Sequence, residues 1–402
     1  MRLLNVLLLI LSLLLLAGCQ MFSYADGSSL VVTDAPVKVT ETAVSTPQPE
    51  PTQPPTVAPK PTEAPTAEPT AMPEPTAEPT AVPEPTAVTF ALAPETAVVN
   101  IPLAGPLAGR NAEISGMAWY GDWLVLLPQY PFFNRDGQDG ALYALPKADI
   151  EAFINGDRSE PLEPQPILLN SSGLRHKIPG YEGFEAIAFV GDEVYLTIEA
   201  SHRGAMQGYL VRGQIAPDLS GVTFFTETAV IDPQANIDNM TDETIVLVDD
   251  QVLTMYEANG LQPNPNPVAH IFGADLAENG TMPFPRMEYR VTDATALDEN
   301  GRFWVISYNF PHDNGVQTDD DPIAAQYGKG ATHADNDGVE RLVELQYSPD
   351  GISMIDAPPV QLQLLPDELR NWEGIVRFNG GWLLATDKYP VTILGYVPSS
   401  SD

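Results

Sequence analysis

EAIAFVGDEVYLTIE, residues 185–199, decides the fold: a short apolar strand, a Gly-Asp turn, a second apolar strand, and an acid at each end. The pattern returns as SGMAWYGDWLVLLPQ (115–129), ETIVLVDDQVLTMYE (243–257), DATALDENGRFWVISYN (293–309) and EGIVRFNGGWLLATD (373–387). Gly, Asp or Asn between runs of β-branched and aromatic residues is the signal of a β-hairpin. Hairpins recurring every roughly 50–80 residues are the mark of a blade repeat.

Further strands follow most hairpins. They are ALYAL (141–145) and QPILLN (165–170), then GYLVRGQI (208–215) and VTFFTETAVI (222–231). Next come VAHIFGADL (268–276) and MEYRVT (287–292), then RLVELQY (341–347) and VQLQLL (360–365). The fifth unit has only TILGYV (392–397), so its outer strand is expected from AVVNIPLA (97–104) at the other end of the domain. The expected fold is all-β: a β-propeller of five four-stranded blades over residues 96–398, closed by N- and C-terminal strands. A sixth blade hidden in the long fourth unit is the alternative.

Residues symmetric about a hairpin turn face each other across the ladder, unless a bulge shifts the register. Ten polar positions then ring the mouth of the channel lined by the first strands. Seven are acidic: Glu185, Glu199, Glu243, Glu257, Asp293, Glu373 and Asp387; Ser115, Gln129 and Asn309 complete the ring. Acid opposite acid needs a cation, a raised pKa or good solvation. The loops on this face carry His176, Lys177, His202, Arg203, His312, His333, Arg370 and Lys388.

The N-terminus is a targeting segment. Arg2 precedes an apolar run, Leu3 to Leu16, too short to span a bilayer as a helix. Leu16-Ala17-Gly18-Cys19 resembles the lipobox of bacterial lipoproteins. That likeness implies a signal peptide and lipobox over residues 1–19, cleavage before Cys19, lipidation of Cys19, and an exported protein held on the outer face of the cytoplasmic membrane or at the cell surface. Cys19 is the only cysteine, so no disulfide is expected. Residues 20–95 are rich in Pro, Thr and Glu and too poor in large apolar groups to fold. They read as a disordered stalk, extended at about 3.1 Å per residue where proline dominates, with O-glycosylation left open. Up to residue 95 there are 10 acids and 3 bases; 44 acids and 16 bases follow, a net charge of −28. Such a domain repels nucleic acid and favours cations. A monomer is expected.

SGMAW…LLPQ, FEAIAF…YLTIEAS and WEGIVRF…LLATDKY resemble the phytase-like (esterase-like activity of phytase) propeller family across roughly residues 97–398. The strongest matches are Glu185, Glu199, Glu373, Gly374 and Asp387; Ala186 and Gln129 depart from the family pattern. The resemblance implies the fold and hydrolysis of a phosphate or carboxylate ester. The acid ring suits Ca²⁺, which takes about 6–8 oxygen ligands; all seven acids are candidate ligands. Glu185 and Glu373 are the candidate catalytic carboxylates, with His202, Arg203 and Lys388 holding a small anionic ester. A surface module that binds a ligand or a protein without catalysis is the other class. The runs Asp319-Asp320-Asp321, Asp335-Asn336-Asp337-Gly338 and NRDGQDG (134–140) lack full EF-hand spacing and are expected to be solvated turns. No GxSxG elbow, HExxH or P-loop is present.

Overall fold

The computed structural model describes residues 90–399, apart from 172, 314, 317, 319, 335 and 367. The signal segment, Cys19 and the stalk up to residue 89 lie outside the described residues. Within them the chain forms five blades. Blade one is Ile114–Tyr120, Trp123–Pro128, Ala141–Pro146 and Gln165–Asn170. Blade two is Tyr181–Val190, Glu193–His202, Ala205–Ile215 and Gly221–Ile231. Blade three is Asp242–Val248, Gln251–Tyr256, Val268–Gly273 and Glu278–Pro283. Blade four is Arg290–Ala294, Arg302–Asn309, Val339–Ser348 and Val360–Leu362. Blade five is Trp372–Phe378, Gly381–Thr386 and Leu394–Val397, completed by Val99–Ile101.

The closing strand is the one expected: Ile101 pairs with Leu394, Asn100 with Gly395 and Val99 with Tyr396. The apolar core confirms closure. It falls into wedges between blades one and two, two and three, three and four, four and five, and five and one. A blade hydrophobic on both faces can bury them only between neighbours, so five wedges in cyclic order make a complete ring.

Two strand assignments differ from expectation. MEYRVT does not form the outer strand of blade three; that strand is Glu278–Pro283, and Arg290 opens the first strand of blade four. The ENGTMP outer strand has no apolar alternation to reveal it. Residues 92–95, expected to belong to the stalk, also join the domain. Leu92–Ala93 pairs with Lys329–Gly330, and Glu95–Thr96 with Gln361–Leu362. The Glu95 carboxylate fixes them by accepting from the Thr332 N–H at 2.9 Å and the Thr332 hydroxyl at 2.6 Å, with His333 Nδ1 at 2.9 Å.

Candidate functional site

Four hairpins turn on two residues: Gly121-Asp122, Gly191-Asp192, Asp249-Asp250 and Asn379-Gly380. The first residue of each turn has positive φ, between 45° and 56°, the left-handed conformation that matches strand twist in such turns. These turns set the ladder. Near the far end of every first strand the register then slips, at Ser115, at Glu185-Ala186, at Glu243, at Thr292-Asp293 and at Glu373. The same position bulges in all five blades. Acid therefore does not face acid across a ladder. Glu199 pairs with Gly183, while the N–H groups of Glu257 and Asp387 donate to the carbonyls of Thr241 and Asn371. The bulge frees each first-strand side chain to reach the next blade or the channel.

Two of these groups stitch the ring. Ser115 donates to the Phe184 carbonyl of blade two at 2.6 Å. The Asp293 carboxylate accepts from the Ile375 N–H of blade five at 2.8 Å and from the Ala294 N–H at 2.8 Å. Asp293 is thus a structural clamp. Gln129 donates to Glu185 at 3.1 Å. A Cβ on Gly183 would lie 2.5 Å from Gln129 Cγ, so the glycine makes room for this contact.

The ring is buried rather than solvated. Glu185, Glu199, Glu243, Glu257, Asp293 and Glu373 are all buried, and Asp387 is half-buried. Burial, and then repulsion from Glu199, holds Glu185 protonated well above the usual carboxylate range. Burial and the Glu257 charge push Glu199 up to about 8. Burial and Glu257 raise Glu243, and burial and Asp387 raise Glu373. Burial raises Glu257, opposed by Arg290, and burial raises Asp387.

The cation in this ring is Arg290, which opens the first strand of blade four rather than lying in the outer strand expected over residues 287–292. Its Nε donates to Glu257, Nη1 to Asn371 at 3.3 Å, and Nη2 to Glu373 at 3.2 Å. Glu243 and Asp313 lie 3.8 and 3.7 Å away, and the Tyr308 ring centre lies 5.6 Å from the guanidinium carbon. Asn371 also donates to Glu373 at 2.6 Å and to Asp387 at 3.3 Å, holding the two carboxyl groups of blade five together. Arg290, Asp313, Asn371 and Asp387 line a cavity of about 540 Å³, together with Arg110, Tyr308, Phe310, Glu368 and Tyr389. Glu185 and Glu373 do not line it; Asp387 does.

A calcium ion fits this centre poorly. A guanidinium stands among the carboxylates that would ligate it, and among the described residues no three acidic, His or Cys groups are placed to hold a metal. The expected substrate-holding cations are dispersed. Lys388 pairs with Glu113 at 2.8 Å. His202 and Arg203 are exposed, at the turn between the second and third strands of blade two. Arg370 is buried against Glu340, and His333 against Glu95. Arg110 takes their place at the cavity: it donates to the Pro390 carbonyl at 2.8 Å, lies over the Tyr389 ring, and has no carboxylate partner among the described residues. The acidic turns are also less solvated than expected. Asp321 is buried and accepts from Arg341 at 2.8 Å, and Asp136 accepts from Tyr143 at 2.6 Å. Asp319 and Asp335 lie outside the described residues.

No family model matches the chain, and no curated protein matches it. Among solved structures, similarity extends to an exo-1,5-α-L-arabinanase from a bovine ruminal metagenomic library. That pair is 10% identical, with a TM-score of 0.41, covering 73% of this chain and 94% of the other. An α-L-arabinofuranosidase from Clostridium thermocellum is 11% identical at a TM-score of 0.40, covering 68% and 81%. The five-bladed ring and its site rest on the strand pairing and packing described above.

Proposed function

We propose that the cavity over Arg290 and Asp387 is the active site of a hydrolase acting on a small ester that carries a negative group. One observation carries this reading: Asp387 lines the cavity, has a buried oxygen with no hydrogen-bond partner in the protein, and is tied through Asn371 to Glu373. Two coupled carboxyl groups cannot both ionise easily, so one keeps a proton. Asp387, the member that lines the cavity, accepts a proton from the attacking water when ionised, and Glu373, reached through Asn371, acts only by holding that carboxyl in place and setting its charge. Arg110 is the charge that holds the substrate's anionic group. Asp387 thus takes the part expected of Glu185, and Arg110 the part expected of His202, Arg203 and Lys388. Export and anchoring through lipid on Cys19 belong to the same proposal, supported by the leader and the resemblance of its end to a lipobox. They would place the site outside the cytoplasmic membrane.

The test is a panel of p-nitrophenyl esters: a phosphate, an acetate, and a dicarboxylic monoester with a free carboxylate, assayed with chelator and with Ca²⁺. The anionic esters are expected to turn over in preference to the acetate. Asp387→Asn should lower kcat by about 10²–10⁴-fold. Arg110→Ala should raise KM with little change in kcat, because it removes ground-state and transition-state binding alike. A wild-type protein inert to the whole panel would overturn the enzyme reading in favour of a binding module.

A further inference from the structure

We propose that the cavity takes an aryl carboxylate, with the flat ring against Phe310 and Tyr389 and the carboxylate on Arg110. This names a substrate class for the site proposed above and rests on that reading for catalysis, though not for binding. Phe310 is 40% exposed and Tyr389 is 55% exposed; among the described residues no other Phe, Tyr or Trp is exposed. Both line this one cavity. They stand at equivalent places in the fold, in the loops after the second strands of blades four and five, Arg302–Asn309 and Gly381–Thr386. Aromatic rings carry a large apolar area, so two rings left open in one cavity mark a surface that a ligand covers. Leu369 and Pro390 extend the apolar lining.

The cation beside these rings suits an acid. The Arg110 guanidinium carbon lies 5.4 Å from the centre of the Tyr389 ring, and Nε and Nη2 donate to the Pro390 carbonyl at 3.0 and 2.8 Å. Those bonds fix the guanidinium and leave Nη1 for a ligand's carboxylate. A sugar acid also joins a ring to a carboxylate, but the polar groups here are committed to one another. Asn371 accepts from Arg290 and donates to Glu373 and Asp387. Arg290 donates to Glu257, Asn371 and Glu373. Sugar hydroxyls buried against groups already paired would go unsatisfied, at a cost in free energy. An aryl ring asks for no such bonds.

The experiment is a ligand-observed NMR titration of the full chain with benzoate, cyclohexanecarboxylate, benzamide and glucuronate at neutral pH. Benzoate should bind. Cyclohexanecarboxylate, which lacks the π-system, should bind about 2–12-fold more weakly. Benzamide, which lacks the charge, and glucuronate should bind about ten-fold more weakly or worse. Phe310→Leu should weaken benzoate by about 2–12-fold with an unchanged unfolding midpoint, and Tyr389→Leu serves as the second variant should the first fail to fold. Arg110→Gln should erase the preference for benzoate over benzamide. No benzoate binding, glucuronate binding as tight as benzoate, or wild-type benzoate affinity in both ring variants overturns the proposal. Benzoate binding by a protein inert to every ester supports this proposal and sinks the enzyme reading. Ester turnover that benzoate does not inhibit does the reverse.

Discussion

Acidification from about pH 8 to about pH 5 should stabilise this protein. Glu185, Glu243, Asp293 and Glu373 are all raised well above their usual values by burial, and Glu199 is raised to about 8. In the unfolded chain these groups release their protons near pH 4.5; in the folded ring they retain them. Between those values the native state binds more protons than the unfolded one, so stability falls as pH rises. A single carboxyl shifted as far as Glu199 contributes on the order of a few kcal/mol across that span. His270, also raised, through Asp242, acts in the same direction. His333, lowered by burial, opposes it below the usual His range. At the acid end the sign reverses. Glu95 and Asp298 are lowered, so their stabilisation is lost as pH falls through their folded values. The unfolding midpoint by calorimetry should therefore climb from pH 8 downward and turn over near or below pH 4.5. A midpoint that rises steadily from pH 5 to pH 8 would contradict the buried, proton-retaining ring.

Removal of residues up to 104 should abolish cooperative folding, whereas a chain starting at residue 90 should unfold like the full-length protein. Val99–Ile101 is the outer strand of blade five, and Ile101 is completely buried in the wedge between blades five and one. The same segment continues into blade one: Ala104 N–H donates to the Leu162 carbonyl at 2.7 Å, and Leu162 N–H to that of Pro102 at 2.8 Å. A propeller lacking this strand leaves one wedge open and one sheet edge unpaired. A milder probe is Ile101→Ala, which should cost about 2–5 kcal/mol by denaturant unfolding. An unchanged midpoint in either variant would mean that the ring does not close through this strand.

Much of this was legible in the sequence, for a physical reason. Hairpin turns and alternating apolar strands are local signals, and five copies of one pattern fix a blade count. The incomplete fifth unit demanded a strand from elsewhere, and AVVNIPLA was the apolar stretch available. The acids at hairpin ends were likewise visible as a recurrence. What they face was not. A bulge leaves no mark when the bulged residue is simply the next polar one, as at Glu243 and Glu373. Arg290 was hidden because MEYRVT reads as a strand of either neighbouring blade, and the true outer strand, ENGTMP, has no apolar period. Lys388 and His333 looked available as loop cations, yet their partners Glu113 and Glu95 are hundreds of residues away in the chain. Only closure of the ring brings such pairs together.

The central claim is that the channel ring holds protons as well as Arg290 as its counter-charge, and the most direct measurement is carboxyl ¹³C NMR. Glutamate labelled at the side-chain carboxyl carbon would be titrated in the folded protein, with Glu185→Gln, Glu243→Gln and Glu373→Gln assigning the signals. The predicted result is that Glu185, Glu243 and Glu373 hold their protons well above the ordinary carboxylate range, which lies at about 4.3 for a free glutamate side chain. If every glutamate ionises in the ordinary range, the ring is solvated or differently compensated, and both the proton-sharing pair and the reaction built on it fail.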